Sequence, residues 1–237
     1  MLQKKLAIFV EGQTERILIT RLLQEIAGYK KVSVEVYQVR GDKANRKIQQ
    51  LKSNSIEVAP FFILLYDCGC GSHVLSDIKK QYVSLTNNGY EKILGLRDLY
   101  PETLENRTKV ENGIKGFLKP LLQNKGIPIS MILVIMEIEA WFLGEYSFLT
   151  KIDSCLTSKF ILDNLGFDLN ALDVEQIPHP SQVLDSIYQL IQRSYDKSET
   201  TVEEIASILN YEFIYLHLVE KIKQLKQLID AINLFLQ

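Results

Sequence analysis

No stretch of the sequence approaches the roughly 18 uninterrupted apolar residues that a bilayer span requires. There is no excess of either charge. The 27 basic side chains against 29 acidic ones give no overall positive field of the kind that binds nucleic acid by charge alone, so any such contact has to be local. Cysteine is scarce and odd in number: three, with two at Cys68 and Cys70. That count argues against a disulfide framework and for a reducing compartment. The opening Met-Leu-Gln-Lys-Lys leads into a short β-like run rather than a signal peptide. Together these absences predict a soluble cytoplasmic protein with no membrane partner. There is also no internal repeat and no low-complexity tract. What is present, 237 residues at 46% hydrophobic content, suffices for one large domain or for a domain with a helical extension.

Short runs rich in branched apolar residues alternate with longer helical patterns, the signature of βαβ units and a mostly parallel sheet. The runs are 5–10, 32–39, 60–66, 91–96 and 130–136. Over 15–27, Ile17, Leu18, Leu22, Leu23 and Ile26 fall at helical spacing, and Gly28 supplies a stop. Further helices are predicted over 42–53, 72–86 and 104–123, the last broken by Pro120. After about position 148 no convincing strand follows, and periodic apolar positions over 181–193 and 202–236 predict helix. The "IPHPSQ" segment at 177–182 reads as a joint, with a serine able to cap the next helix. The expected organisation is an α/β domain over 1–148 and a helical C-terminal region over 149–237.

The acids fall at telling positions. Glu11 follows "LAIFV", Asp67 follows "FFILLY", Asp98 follows "ILGLR" and Glu137 follows "MILVIM". If these strands are parallel, all four carboxylates collect at the carboxyl edge, where open α/β sheets place their ligands. Such a cluster repels itself unless it holds a cation. Carboxylate oxygens suit Mg²⁺ or Mn²⁺, and the helix that begins after Gly12 points its positive end at the same edge, where it would receive a phosphate. A divalent ion there activates water and stabilises charge building on a phosphodiester. The structural alternative for each acid is a helix cap or turn former, strongest for Asp98. Glu139 shares a face with Glu137 on a strand but lies about 200° away on a helix. A helix starting near Glu137 makes Glu139 the second choice as ligand. Glu15 most simply complements the dipole of its helix, with metal contact as the minor option.

These residues carry a resemblance. "VEGQTE" at 10–15 resembles the glutamate motif after the first strand of the Toprim domain found in topoisomerases, primases and overcoming-lysogenization-defect nucleases. "LLYDCG" at 64–69 matches in part the Asp-x-Asp pair of that domain, with Gly69 in place of the second aspartate. "GLRDLYP" at 95–101 and "MEIEAWFL" at 136–143 resemble segments of small stand-alone bacterial Toprim-like proteins, some encoded beside ABC-type ATPases in phage-defence loci. The resemblance spans about 4–148. It implies a Toprim-like α/β fold with Glu11 as general base or metal ligand and Asp67 as a metal ligand of the catalytic set. Asp98, or Glu137 with Glu139, would then supply the oxygen that Gly69 lacks. Tyr195 and Lys197 in "RSYDKS" resemble a Tyr-x-Lys element in the helical tails of the same proteins, which implies a catalytic Lys197 that neutralises the scissile phosphate.

Other residues carry competing readings. Cys68, Cys70 and His73 offer only three zinc ligands at an unusual spacing, and the default is small loop thiols. Trp141 and Phe142 either stack on a base or, as their helical spacing from Ile138 and Leu143 favours, pack in the core. Lys43, Arg46 and Lys47 read as a solvated helix face that could meet phosphate, as could Arg97. The last helix, with near-heptad apolar spacing, packs on the sheet or, as the runner-up, forms a homodimer. The functional expectation is a Mg²⁺- or Mn²⁺-dependent nuclease acting on DNA or RNA. A non-catalytic partner or sensor subunit of an ATPase-containing defence complex is the alternative, and a small-molecule phosphohydrolase the third reading.

Overall fold

The computed structural model describes residues 3–41, 45–54, 56, 59–123 and 126–237. In chain order β1 (Lys4–Val10), α1 (Gln13–Ala27), β2 (Val32–Arg40), β3 (Lys47–Asn54), β4 (Phe61–Asp67), α2 (Gly71–Asn87), β5 (Lys92–Asp98), α3 (Arg107–Leu122) and β6 (Ile129–Val134) build one six-stranded sheet and its first helices. The strand order is β3-β2-β4-β1-β5-β6, and every pairing is parallel except β2 with β3.

β1 is central because it is apolar on both faces. Leu6, Ile8 and Val10 pack with α1 and the C-terminal helices, whereas Ala7 and Phe9 pack with Val74 and Ile78 of α2. That alternation is the period-2 geometry of a strand covered on both sides. At the β6 end, Ile114 and Leu118 of α3 cover Leu133.

The five strands expected from the apolar runs are all present. The helix expected over 42–53 is not: Asp42, Lys43 and Ala44 lie outside the described residues, and Lys47–Asn54 is a strand antiparallel to β2. Ile48 and Leu51 mimic helical spacing, but β3 lies at the sheet edge with every residue exposed, so no buried face imposes alternation. Pro120 does not break its helix early. It sits in the last turn of α3, which runs on only to Leu122.

After β6 the chain is helical: α4 (Glu139–Gly144), α5 (Leu149–Ile152), α6 (Ser158–Leu165), α7 (Pro180–Gln189), α8 (Glu199–Ile208), α9 (Tyr211–Phe213), α10 (Val219–Lys221) and α11 (Lys223–Phe235). The expected helix over 202–236 is thus divided. Asn210 accepts from the Phe213 amide at 3.0 Å and restarts the chain after α8, a π turn over Ile214–Leu218 joins α9 to α10, and Ile222 leaves helical geometry before α11. Leu225, Leu228, Ile229 and Ile232 of α11 are buried in the same apolar cluster as β1, so its stripe packs on the sheet. Phe235 meets Phe61 of β4 edge-on, with ring centroids 5.6 Å apart. Trp141 and Phe142 are buried in that cluster as well.

A core shared by sheet and C-terminal helices predicts one cooperative transition. Urea unfolding followed by fluorescence of Trp141, the sole tryptophan, and by far-ultraviolet circular dichroism should give coincident midpoints. Phe235→Ala should lower both together, by about 3 kcal/mol. Separate midpoints for the two probes would contradict this account.

Candidate functional site

The loops after β1 and β5 and the turn after β6 lie at one edge of the sheet, because β1 pairs in parallel with β5 and β5 with β6. Glu11 leaves β1 and turns its Oε2 to the Asp98 amide, which donates to it at 3.1 Å. The same carboxylate lies against Gly71, the first residue of α2. A Cβ at Gly71 would stand 2.3 Å from Glu11 Oε2, so the close approach requires glycine there. Glu15, in the first turn of α1, is buried and accepts from the Gly12 amide at 2.9 Å.

Two left-handed residues aim the rest of the cluster. Met136 has φ 58° and Lys197 φ 56°, a conformation that costs a side-chain-bearing residue about 1–3 kcal/mol and persists where the surroundings enforce it. Beyond Met136, Glu137 accepts from the Ser181 amide at 3.1 Å and from Ser181 Oγ at 2.7 Å. Lys197 Nζ bridges Glu137 Oε1 at 2.8 Å and Glu139 Oε1 at 3.1 Å. The Tyr195 hydroxyl donates to Glu139 Oε1 at 2.9 Å. Gln13 Nε2 donates to the Lys197 carbonyl at 3.0 Å, tying the segment to α1.

Burial and mutual repulsion set the charge state. Burial pushes the Glu15 carboxyl up to about 8, reinforced by Glu11 and Glu139. Asp98 lies well above the usual carboxylate range, through burial first and then Glu15, Glu11 and Glu139. Glu11 is raised by burial, offset in part by the amides of Asp98 and Gly71 and by the charges of Arg97 and Lys197. Glu139 is raised by burial, against the pull of Lys197. Burial would raise Glu137 too, but Lys197 and Ser181 outweigh it and hold its carboxyl below the ordinary value. The carboxylates in turn raise Lys197, so its ammonium stays protonated despite burial.

Two carboxylate oxygens in this cluster are buried without any partner, Asp98 Oδ1 and Glu139 Oε2. An orphaned buried oxygen costs free energy unless a donor or a cation meets it. An all-oxygen donor set with unspent oxygens fits a hard divalent cation. Among the described residues, no three acidic, histidine or cysteine side chains are drawn together closely enough to hold an ion between them. In the geometry described here Lys197 is the cation that the acids share.

The other residues singled out from the sequence sit as follows. Asp67 ends β4 at the same edge, but its carboxylate is turned to cations. Arg40 grips both its oxygens at 3.1 Å, Arg16 Nε lies 3.4 Å from Oδ2 without hydrogen-bond alignment, and the Gly69 amide donates to Oδ1 at 2.9 Å. Gly69 itself has φ 80°, and a Cβ there would come within 2.9 Å of the Val39 carbonyl, which leaves little room for the second aspartate of the pair. Arg46 binds Asp77 and the Cys68 carbonyl, Lys47 is exposed on β3, and Lys43 lies outside the described residues. Cys68 is buried against the Tyr66 carbonyl, and Cys70 Sγ is 3.1 Å from His73 Nδ1. From the sequence Ser181 carried only a cap reading, and Glu15 a dipole reading with metal contact as the minor option. Their meeting with the cluster has no local signal, since Ser181 is 44 residues from Glu137.

A mostly parallel sheet that gathers acids from successive strand ends at its carboxyl edge is the architecture of the Toprim class of domain. Residues 4–65, about a quarter of the chain, match the family model described as overcoming lysogenization defect protein-like, TOPRIM domain. Over these residues the chain is similar to a Toprim domain of the overcoming lysogenization defect-like kind, and such a domain points to nuclease- or primase-type action on nucleic acid. The matched segment holds Glu11 and Glu15 and stops just short of Asp67. Comparison with curated proteins and with solved structures returned no match. Among the described residues no helix is long and apolar enough to cross a membrane.

The raised Glu15 carboxyl makes stability depend on pH. Between its ordinary value of 4.5 and about 8 the folded chain holds a proton that the unfolded chain has released, so stability falls as pH rises through that window. In chelator, the melting temperature should drop from about pH 5 to about pH 8. Glu15→Gln, which keeps an acceptor for the Gly12 amide, should flatten that slope. An unchanged slope in the variant would remove Glu15 as its source.

Proposed function

We propose that the chain is a Mg²⁺- or Mn²⁺-dependent nuclease that hydrolyses phosphodiester bonds of DNA or RNA in the cytoplasm, in phage defence or nucleic-acid processing. The observation that carries this reading is the pair of unpartnered, buried carboxylate oxygens on Asp98 and Glu139 beside Glu11 and Glu15. To hold the ion, Glu11, Asp98 and Glu139 would have to draw closer together than they stand, with Glu137 and Glu15 beside them. When bound, the ion supplies an acidified water and positive charge against the phosphoryl oxygens.

The chain's own residues do the rest. Lys197 carries a fixed positive charge on a side chain that is 43% exposed, so it is free to lean toward an incoming phosphate and neutralise its developing charge rather than act as a base. Tyr195 holds Glu139 in place while Lys197 moves. Asp67 enters as the anchor of Arg40, whose half-exposed guanidinium would stand at the rim to receive the polynucleotide backbone, while Arg16 is buried and held by Glu199. For Asp67 itself to become a ligand, Arg40 would have to let go.

One observation favours a second reading, in which the chain is a non-catalytic partner or sensor subunit of an assembly with an ABC-type ATPase. Lys197 already satisfies Glu137 and Glu139 as an internal cation, and Gly69 stands where the second aspartate would be.

Cleavage of single- and double-stranded DNA and RNA in Mg²⁺ or Mn²⁺ separates the readings. Wild type should cut, and Glu11→Gln, Glu139→Gln and Lys197→Met should each lose about a hundredfold or more while keeping the wild-type circular dichroism. Equal cleavage by wild type and all three variants would remove the assigned site. A wild type that neither cuts nor gains thermal stability from the metal is the result expected of the sensor reading.

A further inference from the structure

β6 is the last strand of the sheet and has one neighbour, β5. Ile93 N donates to the Pro128 carbonyl and Leu99 N to the Val134 carbonyl, both at 2.9 Å. Backbone direction alternates along a strand, so Ile129, Met131 and Leu133 turn their N–H and C=O groups away from β5. That edge faces a cavity of about 900 Å³ between α3 and the start of α11. The side chains of Ile129, Met131 and Leu133, with Ile114, Leu118 and Leu122 of α3, form its apolar floor. Lys115, Lys119 and Lys223 stand on its walls, exposed, and among the described residues none of the three makes a hydrogen bond or ion pair with an acid. Arg107 is paired with Glu111, at 2.9 Å.

We propose that this groove binds an extended acidic polypeptide segment, which adds to β6 as a seventh strand. An open ladder edge supplies main-chain hydrogen bonds, and pockets beside it accept alternate side chains of the incoming strand. The apolar floor takes every second residue. The three unpaired ammonium groups select acidic side chains among the residues between.

Charge decides against a second copy of the chain. An edge-to-edge dimer is isologous, so it would set the same lysines of both copies around one groove, and like charges there guard the edge against self-pairing. Nucleic acid shares the negative charge but has no use for a strand-type ladder or an apolar floor. The site is separate from the carboxylate cluster, and its occupancy does not depend on the chain being a nuclease.

The probe is an end-blocked, fluorescein-labelled peptide of about eight residues alternating glutamate and valine, long enough to span a strand of ordinary length, with a lysine-valine peptide as control. By fluorescence anisotropy the acidic peptide should bind about tenfold or more tightly than the control, as expected for two or three partly screened ion pairs. The preference should shrink as salt is raised. In the double variant Lys115→Glu, Lys119→Glu, which alters exposed helix positions that pair with no acid among the described residues and so should fold normally, the order of the two peptides should reverse. Amide hydrogen exchange should slow at Ile129, Met131 and Leu133 in the complex, as strand addition demands and mere surface adhesion does not. Absence of binding, equal binding of the two peptides, an unprotected β6 edge in the complex, protection of that edge by self-association alone, or displacement of the peptide by a single-stranded oligonucleotide would each overturn the proposal.

Discussion

Several negative side chains are buried together at the carboxyl edge of this sheet, and the rest of the structure is arranged around that constraint. Burial raises the proton affinity of Glu11, Glu15, Asp98 and Glu139, and Glu11 and Glu139 raise that of Glu15 and Asp98 further. The chain answers with Lys197, whose ammonium reaches Glu137 and Glu139 from a remote segment. Holding that segment requires a left-handed residue at Lys197, an anchor from Gln13 to its carbonyl and an ion pair from Arg16 to Glu199 at 2.9 Å. The helical region is therefore part of the site as well as of the core.

Asp67 shows how the same edge uses a carboxylate differently. It is fully buried, as Glu139 is, yet its oxygens are claimed by Arg40, by Gln38 at 3.4 Å and by the Gly69 amide. Two environments a few residues from the same sheet edge thus divide the acids into a set with unspent oxygens and one acid whose oxygens are spent on cations. Under the proposed function the first set would seat a hard cation and the half-exposed Arg40 guanidinium would meet the polynucleotide backbone. The outer side of β6 carries a different chemistry, an apolar floor and lysines that pair with no acid among the described residues, on which the proposed peptide groove rests.

The strands and their order of acids were legible because a strand buried on both faces must be apolar along its whole length, as in "LAIFV" and "FFILLY". β3 was not legible, since an edge strand exposed on both faces needs no pattern, and its Ile48 and Leu51 fall at a helical interval by accident. Glu15 looked like a dipole partner for α1, which it is, through the Gly12 amide. Its closeness to Glu11, four residues upstream, is local, but that it also lies among Asp98 and Glu139 follows from the packing of α1.

The amino-acid sequence by itself determined which segments form the buried strands and which side chains end them. Those properties are local, set by hydrophobic period. The tertiary structure alone decided how the acids are partnered: Lys197 with Glu137 and Glu139, Ser181 with Glu137, Arg40 with Asp67. Coulomb attraction between buried groups depends on distance in space, and separations of 60, 44 and 27 residues along the chain carry no trace of it.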